Sequence, residues 1–337
     1  MPDSTPFART PPSSRPRALH AFAVGVAGAT LLLVFAGGLV TSTESGLSVP
    51  DWPTTYGQNM FTFPVSKWVG GIRYEHVHRL IASGVGLLTV VLALWLSRRE
   101  PRRWVRRLGY LALGAVVAQG LLGGLTVLLL LPPAVSVAHA CLAQTFFCIV
   151  VTIAVVTSPR WSPPPSVGSL REALAASPLG RVAAVTAGAV FLQLLVGAVM
   201  RHTKAGLAIP DFPLALGRVV PPLTSFPVAI HFLHRVGALV VAGLVGVCAF
   251  RALRSARPGL RRAGIGLAML VVVQIGLGAA TVLTGKSVLV TTAHVAAGAL
   301  LLGGTVALCG VSLAAERRRN NVIPIRSAVA GRASAWK

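Results

Sequence analysis

Eight long apolar segments decide what this 337-residue chain can fold into. Each has about 20 residues or more, the length that an α-helix needs to cross the hydrocarbon core of a bilayer. Only 12% of the residues are charged, against about 25% in soluble domains. The sequence therefore predicts an all-α membrane protein with eight transmembrane helices. The segments are 19–40, 72–97, 108–131, 134–157, 180–200, 227–250, 262–283 and 288–314.

The basic residues indicate how the chain is oriented. The formal net charge is +23, and the charges fall between the apolar segments. With the N-terminus in the cytoplasm, 23 Lys and Arg residues lie on the inner side and 8 on the outer side. Such a bias is typical of cytoplasmic loops. It predicts that both termini are cytoplasmic. The orientation of the chain in the lipid membrane also accounts for the positive net charge, so we do not expect nucleic acid as a partner.

The two halves of the chain repeat each other. Residues 46–53 read GLSVPDWP and residues 206–213 read GLAIPDFP, an offset of 160. Further matches follow in the same order at offsets of 155 or 156: His78 with His234, Arg79 with Arg235, Gln119 with Gln274, and His139 with His294. Four spans per repeat give both repeats the same topology, so we predict two tandem four-helix bundles related by an internal repeat.

The predicted domains follow from this repeat. The N-terminal bundle covers 19–157 and the C-terminal bundle covers 180–314. A proline-rich linker, 158–179, joins them on the cytoplasmic side, and cytoplasmic tails cover 1–18 and 315–337. The outer loops 41–71 and 201–226 each carry the Pro-Asp-aromatic-Pro segment. Such a loop either folds onto the mouth of its bundle or touches a bound ligand.

Histidines inside the apolar segments are the strongest candidates for chemistry, because ionisable residues in a membrane are costly. His78 and His139 lie near the outer ends of their spans, and so do His234 and His294. Each pair therefore shares one depth in its bundle. Two imidazoles that face each other in a wide apolar bundle form an axial ligand pair for haem iron. Zinc, the competing metal, requires three or four ligands.

Arginines directly follow two of these histidines. Arg79 and Arg235 are candidates for binding haem propionates, since a guanidinium pairs with carboxylates in a bidentate manner. An arginine that extends its head group to the membrane surface is the alternative. Arg201 and Lys204 are weaker propionate candidates, and His202 is expected in an outer loop as an ordinary surface residue.

The repeat is broken at Glu75, whose counterpart in the second half is His231. Glu75 lies three residues before His78, so the two share a helix face. A carboxyl group near a haem accepts or donates protons, which makes Glu75 the candidate catalytic acid or base. Pairing with Arg79 or Arg73 is the structural alternative.

These motifs together resemble the haem A synthase family of cytochrome oxidase assembly proteins. The similarity spans roughly residues 20–314. It depends on VTSTESGLSVPDWP, EHVHRL and the Gln119 to His139 segment, with their partners IPDFP, HFLHR and Gln274 to His294. Many members carry a cysteine pair in the first outer loop. Residues 48–56 contain no cysteine here, so the chain resembles the subtype that lacks the pair.

The resemblance implies an oxidoreductase of the bacterial inner membrane that oxidises the C8 methyl group of haem O to a formyl group, giving haem A. It implies that His78, His139 and Arg79 bind the substrate haem and that Glu75 is the catalytic acid. His234, His294 and Arg235 would bind a haem b cofactor. Haem O synthase and cytochrome oxidase assembly factors are the implied partners.

Two other functions use the same histidines. A dihaem b-type electron carrier needs no acid at one haem, so the Glu75 and His231 difference favours the enzyme. A haem transfer protein or chaperone would bind haem reversibly and form no formyl haem.

Overall fold

The computed structural model describes residues 17–159, 161 and 170–320, with side chains up to residue 314. Residues 1–16, 160, 162–169 and 321–337 lie outside the described part of the chain. They hold most of both predicted tails and about two fifths of the predicted linker.

Eight of the helices in the described residues are long and apolar enough to cross a membrane, which confirms the predicted all-α, eight-span fold. The helices are α1 (Arg17–Ser42), α2 (Gly71–Arg99), α3 (Arg103–Leu128), α4 (Pro133–Thr157), α5 (Leu170–Ala176), α6 (Pro178–His202), α7 (Phe226–Leu253), α8 (Pro258–Leu283) and α9 (Val288–Asn320). The ninth helix, α5, has only seven residues, lies in the predicted linker and is too short to cross a membrane.

Prolines mark where several of these helices begin. Pro133, Pro178 and Pro258 occupy the first positions of α4, α6 and α8. The fixed φ of proline suits a helix start, and its missing N–H would have no partner inside the helix there. Pro133 and Pro258 each follow a four-residue turn, so α4 returns antiparallel to α3 and α8 returns antiparallel to α7.

The helices pack as two rings with a shared interface. In the first half, α1 contacts α2 and α4, and α3 contacts α2 and α4; α6 to α9 contact one another in the same order. Helices α1 and α4 of the first ring meet α6 and α9 of the second. Close approach at this interface uses Gly303 and Gly310 of α9, which face Phe147 and Val155 of α4.

One end of the helices carries both long connections, and we call it the loop end. The first loop (residues 43–70) joins α1 to α2, and the second loop (residues 203–225) joins α6 to α7. Helices α4 and α9 also begin at this end. All four candidate histidines lie about two turns into their helices from it.

Candidate functional site

The two loops have the same internal structure. Asp51 accepts hydrogen bonds of 2.8 Å from the backbone N–H groups five and six residues later, and Asp211 does the same in the second loop. Burial of the Asp51 carboxyl opposes ionisation, but these bonds and one from Thr54 hold its pKa below the ordinary value. Backbone hydrogen bonds likewise lower the pKa of Asp211. Each carboxylate therefore ties its loop into a fixed turn.

Arginines from the bundles hold both loops in place. Arg79 donates to the carbonyl oxygens of Val49, Asp51 and Thr54 at 2.7–3.0 Å. Arg235 donates to the carbonyl oxygens of Ile209, Asp211 and Leu214, also at 2.7–3.0 Å. The loops thus fold onto the mouths of the bundles. The propionate role of the two arginines stays a prediction beside this structural one.

Glu75 is buried, with 3% of its surface exposed, and it contacts the first loop. One carboxylate oxygen accepts a hydrogen bond from the Val49 N–H at 2.8 Å, and the other pairs with Arg79 at 2.5 Å. In the second half, His231 Nδ1 accepts from the Ile209 N–H at 3.3 Å. Glu75 and His231 therefore anchor equivalent points of the two loops, but only Glu75 brings a carboxylate.

His76, the neighbour of Glu75, belongs to the loop rather than to the paired histidines. Its ring packs against Phe63 and Trp68 with centroid distances of 5.3 and 4.9 Å, and its Nδ1 lies 3.2 Å from the Thr55 hydroxyl. It is fully buried. These contacts assign it to the interface between α2 and the first loop.

Each of the four paired histidines packs on a glycine of the helix that precedes it. The ring atom Cε1 lies 3.0–3.2 Å from the position that a Cβ would take on the glycine. A side chain there would push the ring away. The pairs are Gly37 with His78, Gly123 with His139, Gly197 with His234, and Gly278 with His294.

The histidines of the second half face each other at a spacing that suits one metal ion. The ring centroids of His234 and His294 are 6.4 Å apart. Two metal–nitrogen bonds of about 2 Å each, extended by the distance from each nitrogen to its ring centre, span roughly 6 Å. In the first half, His78 and His139 occupy the equivalent positions of the repeat and pack on the equivalent glycines, Gly37 and Gly123.

The donor set fits haem. No group of three or more His, Cys, Asp or Glu side chains that could hold a metal ion occurs in the described residues. The paired histidines would supply iron with two imidazole nitrogens in each half, as a haem requires. In the first half, the Nδ1 atoms of His78 and His139 are buried without a hydrogen-bond partner among the described residues. A buried polar atom without a partner is costly, which is consistent with a ligand.

Trp52 of the first loop closes over α3 beside this pair. A Cβ on Gly124 would lie 2.5 Å from the Trp52 indole, so the glycine makes room for the ring. The corresponding residues of the second half are Phe212 and Ala279. The larger ring, Trp52, is thus paired with glycine, and the smaller ring, Phe212, is paired with alanine.

The end of α6, at Arg201 and His202, differs from the sequence expectation for His202. His202 is not in a loop: it is the last residue of α6 and is half-buried. Arg201 donates to the Gly38 carbonyl at 3.1 Å and to Ser42 Oγ at 2.8 Å, and Ser42 also accepts from Thr292 at 3.0 Å. These residues join the two halves at the level of the histidines, a role that sequence reasoning missed because it depends on contacts between the repeats.

Comparison with known proteins agrees with this arrangement. A family model described as cytochrome oxidase assembly protein, COX15-CtaA, matches residues 20–68 and 72–306. Curated relatives named haem A synthase include those of Halalkalibacterium halodurans and Rhizorhabdus wittichii. The first is 29% identical over 82% of this chain and 91% of its own length. The second is 30% identical over 86% and 93%.

A third relative with the same name, from Symbiobacterium thermophilum, is 32% identical over 78% of this chain and 85% of its own length. The family match covers both halves of the chain, including all four paired histidines, the second loop and residues 43–68 of the first loop. The chain belongs to the COX15-CtaA family of cytochrome oxidase assembly proteins.

Proposed function

We propose that this chain is a haem A synthase, an oxidoreductase that converts the C8 methyl group of haem O into the formyl group of haem A. The observation that carries the proposal is the pairing of four histidines in two equivalent bundles, with a carboxylate beside only one pair. The family membership and the names of the relatives support the same function.

In this proposal, His78 and His139 bind the substrate haem in the N-terminal half. His234 and His294 bind a haem b cofactor in the C-terminal half, which supplies one-electron redox chemistry when bound. Arg79 and Arg235 lie one residue beyond a ligand, close enough to the loop end to meet propionates there. The two Nδ1 atoms without partners in the first half and the 6.4 Å ring spacing in the second support this assignment.

Glu75 is the proposed catalytic residue. A formyl group has two hydrogens fewer and one oxygen more than a methyl group, so protons and electrons leave the site during the conversion. Glu75 lies one helical turn from His78, where a carboxylate serves as proton acceptor. Its bonds to Arg79 and Val49 hold it in a fixed position.

Pigment analysis tests this function against its alternatives. The chain is co-expressed with a haem O synthase in a host that lacks haem A, and membrane haems are extracted and separated by chromatography. We expect haem A to appear only when both proteins are present. A dihaem electron carrier or a haem transfer protein would leave haem O unchanged, and that result would contradict the proposal.

The proposed location is the bacterial inner membrane, with both termini cytoplasmic and the loop end outside. A reporter fused at Thr62, in the first loop, tests it. We expect a periplasmic phosphatase to be active at this position and a cytoplasmic reporter to be inactive. Activity of the cytoplasmic reporter alone would overturn the orientation of both halves.

A further inference from the structure

The two halves carry different charges at the loop end. With histidines counted as neutral, the first half has a net charge of 0 there, from Glu44, Asp51, Lys67, Arg73, Glu75 and Arg79. The second half has a net charge of +4, from Arg201, Lys204, Asp211, Arg218, Arg235 and Lys286. Outer segments of membrane proteins are usually poor in basic residues, so the orientation of the chain does not explain this excess.

Two of the basic residues replace non-basic ones at positions where the backbones of the two halves are alike. Lys204 corresponds to Glu44, and both adopt the left-handed conformation, with φ of 58° and 55°. Lys286 corresponds to Leu131, with φ of 67° and 60°. The N–H groups of this second pair donate to the carbonyl oxygen five residues earlier, at 2.8 and 2.7 Å. The turns therefore match, and only their charge differs.

Arg218 is a third residue of this kind, and its counterpart is Gln58. Each exchanges two backbone hydrogen bonds with the residue three positions earlier, Ala215 or Thr55, and so closes a tight turn of its loop. The side chains of Arg218 and Gln58 are both exposed. Since the same turn forms with glutamine, the fold does not require a positive charge at this position.

We call the exposed residues Lys204, Arg218 and Lys286 the cationic surface. Their side chains make no ion pair or hydrogen bond with any residue that the structure describes. Lys286 lies over the second loop: its Cδ atom is 3.8 Å from the position that a Cβ would take on Gly206, two residues after Lys204. Like charges that share a surface without an acid create a field that attracts anionic partners.

The cationic surface lies on the loop side of the paired histidines of the C-terminal half. Lys286 precedes His294 by eight residues, and Lys204 follows Gly197, on which His234 packs, by seven. Both separations correspond to about two helical turns. The surface therefore covers the mouth of the half that is proposed to hold the haem b cofactor.

The lipid membrane does not explain a charge that is confined to one half. A bilayer presents the same head groups to both bundles, and the equivalent positions of the first half are Glu44, Gln58 and Leu131. A partner that contacts only the C-terminal half does explain it. Surface charge of one sign raises the association rate of an oppositely charged protein by about 10- to 10³-fold, so the partner is expected to be acidic.

The proposed function gives such a partner a role. With water as the source of the formyl oxygen, conversion of the methyl group to the formyl group releases four protons and four electrons. An external oxidant must accept these electrons. A small redox protein that takes up one electron at each contact is reduced by one electron, while the iron of the C-terminal haem is oxidised from ferrous to ferric.

We propose that the cationic surface is the docking site of an acidic redox protein that accepts electrons from the C-terminal half. This inference rests on the proposed function, in which the second haem is a resident cofactor and electrons leave the enzyme. Lys204, Arg218 and Lys286 steer the partner to the surface and take no part in the chemistry.

Electron transfer to two redox proteins of opposite charge tests the proposal. The full-length protein, loaded with haem in detergent and reduced, is mixed with oxidised plastocyanin, an acidic one-electron acceptor, or with oxidised cytochrome c, a basic one. Stopped-flow absorbance follows oxidation of the C-terminal haem, a phase identified by its absence in His234→Ala. The second-order rate constant with plastocyanin should fall as salt is raised, whereas that with cytochrome c should not.

The triple variant Lys204→Glu/Arg218→Gln/Lys286→Leu gives the C-terminal half the residues of the N-terminal half. At about 0.1 M salt it should slow the reaction with plastocyanin by about tenfold or more, and it should not slow the reaction with cytochrome c. At about 1 M salt, where the Debye length is about 3 Å, the variant and the wild type should differ by less than about twofold.

A matched control separates the cationic surface from the total charge. Lys67→Glu/Arg73→Glu makes the same change in net charge at the loop end of the N-terminal half, where both side chains are exposed. At about 0.1 M salt the Debye length is about 10 Å, so charges of the other half are largely screened. We expect this control to react with plastocyanin within about twofold of the wild type. Both variants should keep the haem content of the wild type.

Several results would overturn the inference and leave the proposed function intact. The triple variant and the control would be slowed equally if only total charge mattered. The triple variant would lose its C-terminal haem if these residues held the haem itself. It would copurify with less phosphatidylglycerol, but react with plastocyanin like the wild type, if the surface bound anionic lipid. By contrast, failure of the wild type to form haem A would contradict the proposed function, whatever the rates with plastocyanin.

Discussion

Glu75→Gln should abolish nearly all haem A formation while leaving the protein folded and the C-terminal haem in place. Glutamine keeps the size of the side chain and an oxygen that accepts from the Val49 N–H, the bond that Glu75 makes at 2.8 Å. It removes the charge that pairs with Arg79 and the ability to take up a proton. General acid–base groups contribute about 10²- to 10⁴-fold to rates, so haem A formation should fall by at least about 100-fold.

The internal repeat provides a matched control for this variant. His231 anchors the second loop through the Ile209 N–H, as Glu75 anchors the first through Val49. His231→Gln therefore makes a comparable change to the loop anchor, away from the proposed chemistry. We expect it to keep haem A formation within about twofold of the wild type. Haem O, or a hydroxylated intermediate, should accumulate in Glu75→Gln alone.

Normal haem A formation by Glu75→Gln would show that Glu75 is only a loop anchor. Equal losses in Glu75→Gln and His231→Gln would lead to the same conclusion, because then the shared anchoring role would explain both. Either result would leave the enzyme without an identified acid or base.

His234→Ala and His294→Ala should each remove a low-spin haem from the purified protein. The rings of these residues are 6.4 Å apart at their centroids, and both residues are partly buried, about two turns into their helices from the loop end. Each variant would leave a bound iron with a single protein ligand, so haem content in this half should fall by about tenfold or more, at least as much as after the loss of a supporting neighbour. Reduced-minus-oxidised absorbance and electron paramagnetic resonance measure the change.

His202→Ala serves as the control for loss of a histidine. His202 is half-buried at the end of α6, near the interface of the two halves, and it is not one of the four paired residues. Its variant should retain both low-spin signals. An unaltered haem spectrum in both His234→Ala and His294→Ala would contradict the assigned ligands.

The fold and the paired histidines were predictable from sequence for a physical reason. A membrane span requires a long apolar segment, and the eight segments differ from the observed helices only by a few residues at each end. Ionisable residues inside such segments are rare enough to be noticed one by one, and the repeat identifies equivalent ones. His78, His139, His234 and His294 all emerge from these two signals.

The surroundings of the histidines were harder to predict, because they depend on contacts between helices and loops. Nothing in the spacing of Arg79 indicates that it binds three loop carbonyl oxygens, and the apolar stretch of α6 gave no sign that it includes His202. The glutamines are an intermediate case. Gln119 and Gln274 are matched by the repeat, but only the structure shows that Gln119 donates to the His139 carbonyl oxygen at 3.0 Å and that Gln193 of α6 donates to the His234 carbonyl oxygen at 2.7 Å.

The haem composition of the purified protein tests the central claim most directly. Wild type and His78→Ala are purified after co-expression with a haem O synthase, and their haems are extracted, identified by mass and counted per chain. We predict haem b together with haem O or haem A in the wild type, and haem b alone in His78→Ala. A wild-type protein that contains only haem b, or a His78→Ala variant that still carries a farnesylated haem at the wild-type level, would contradict the account.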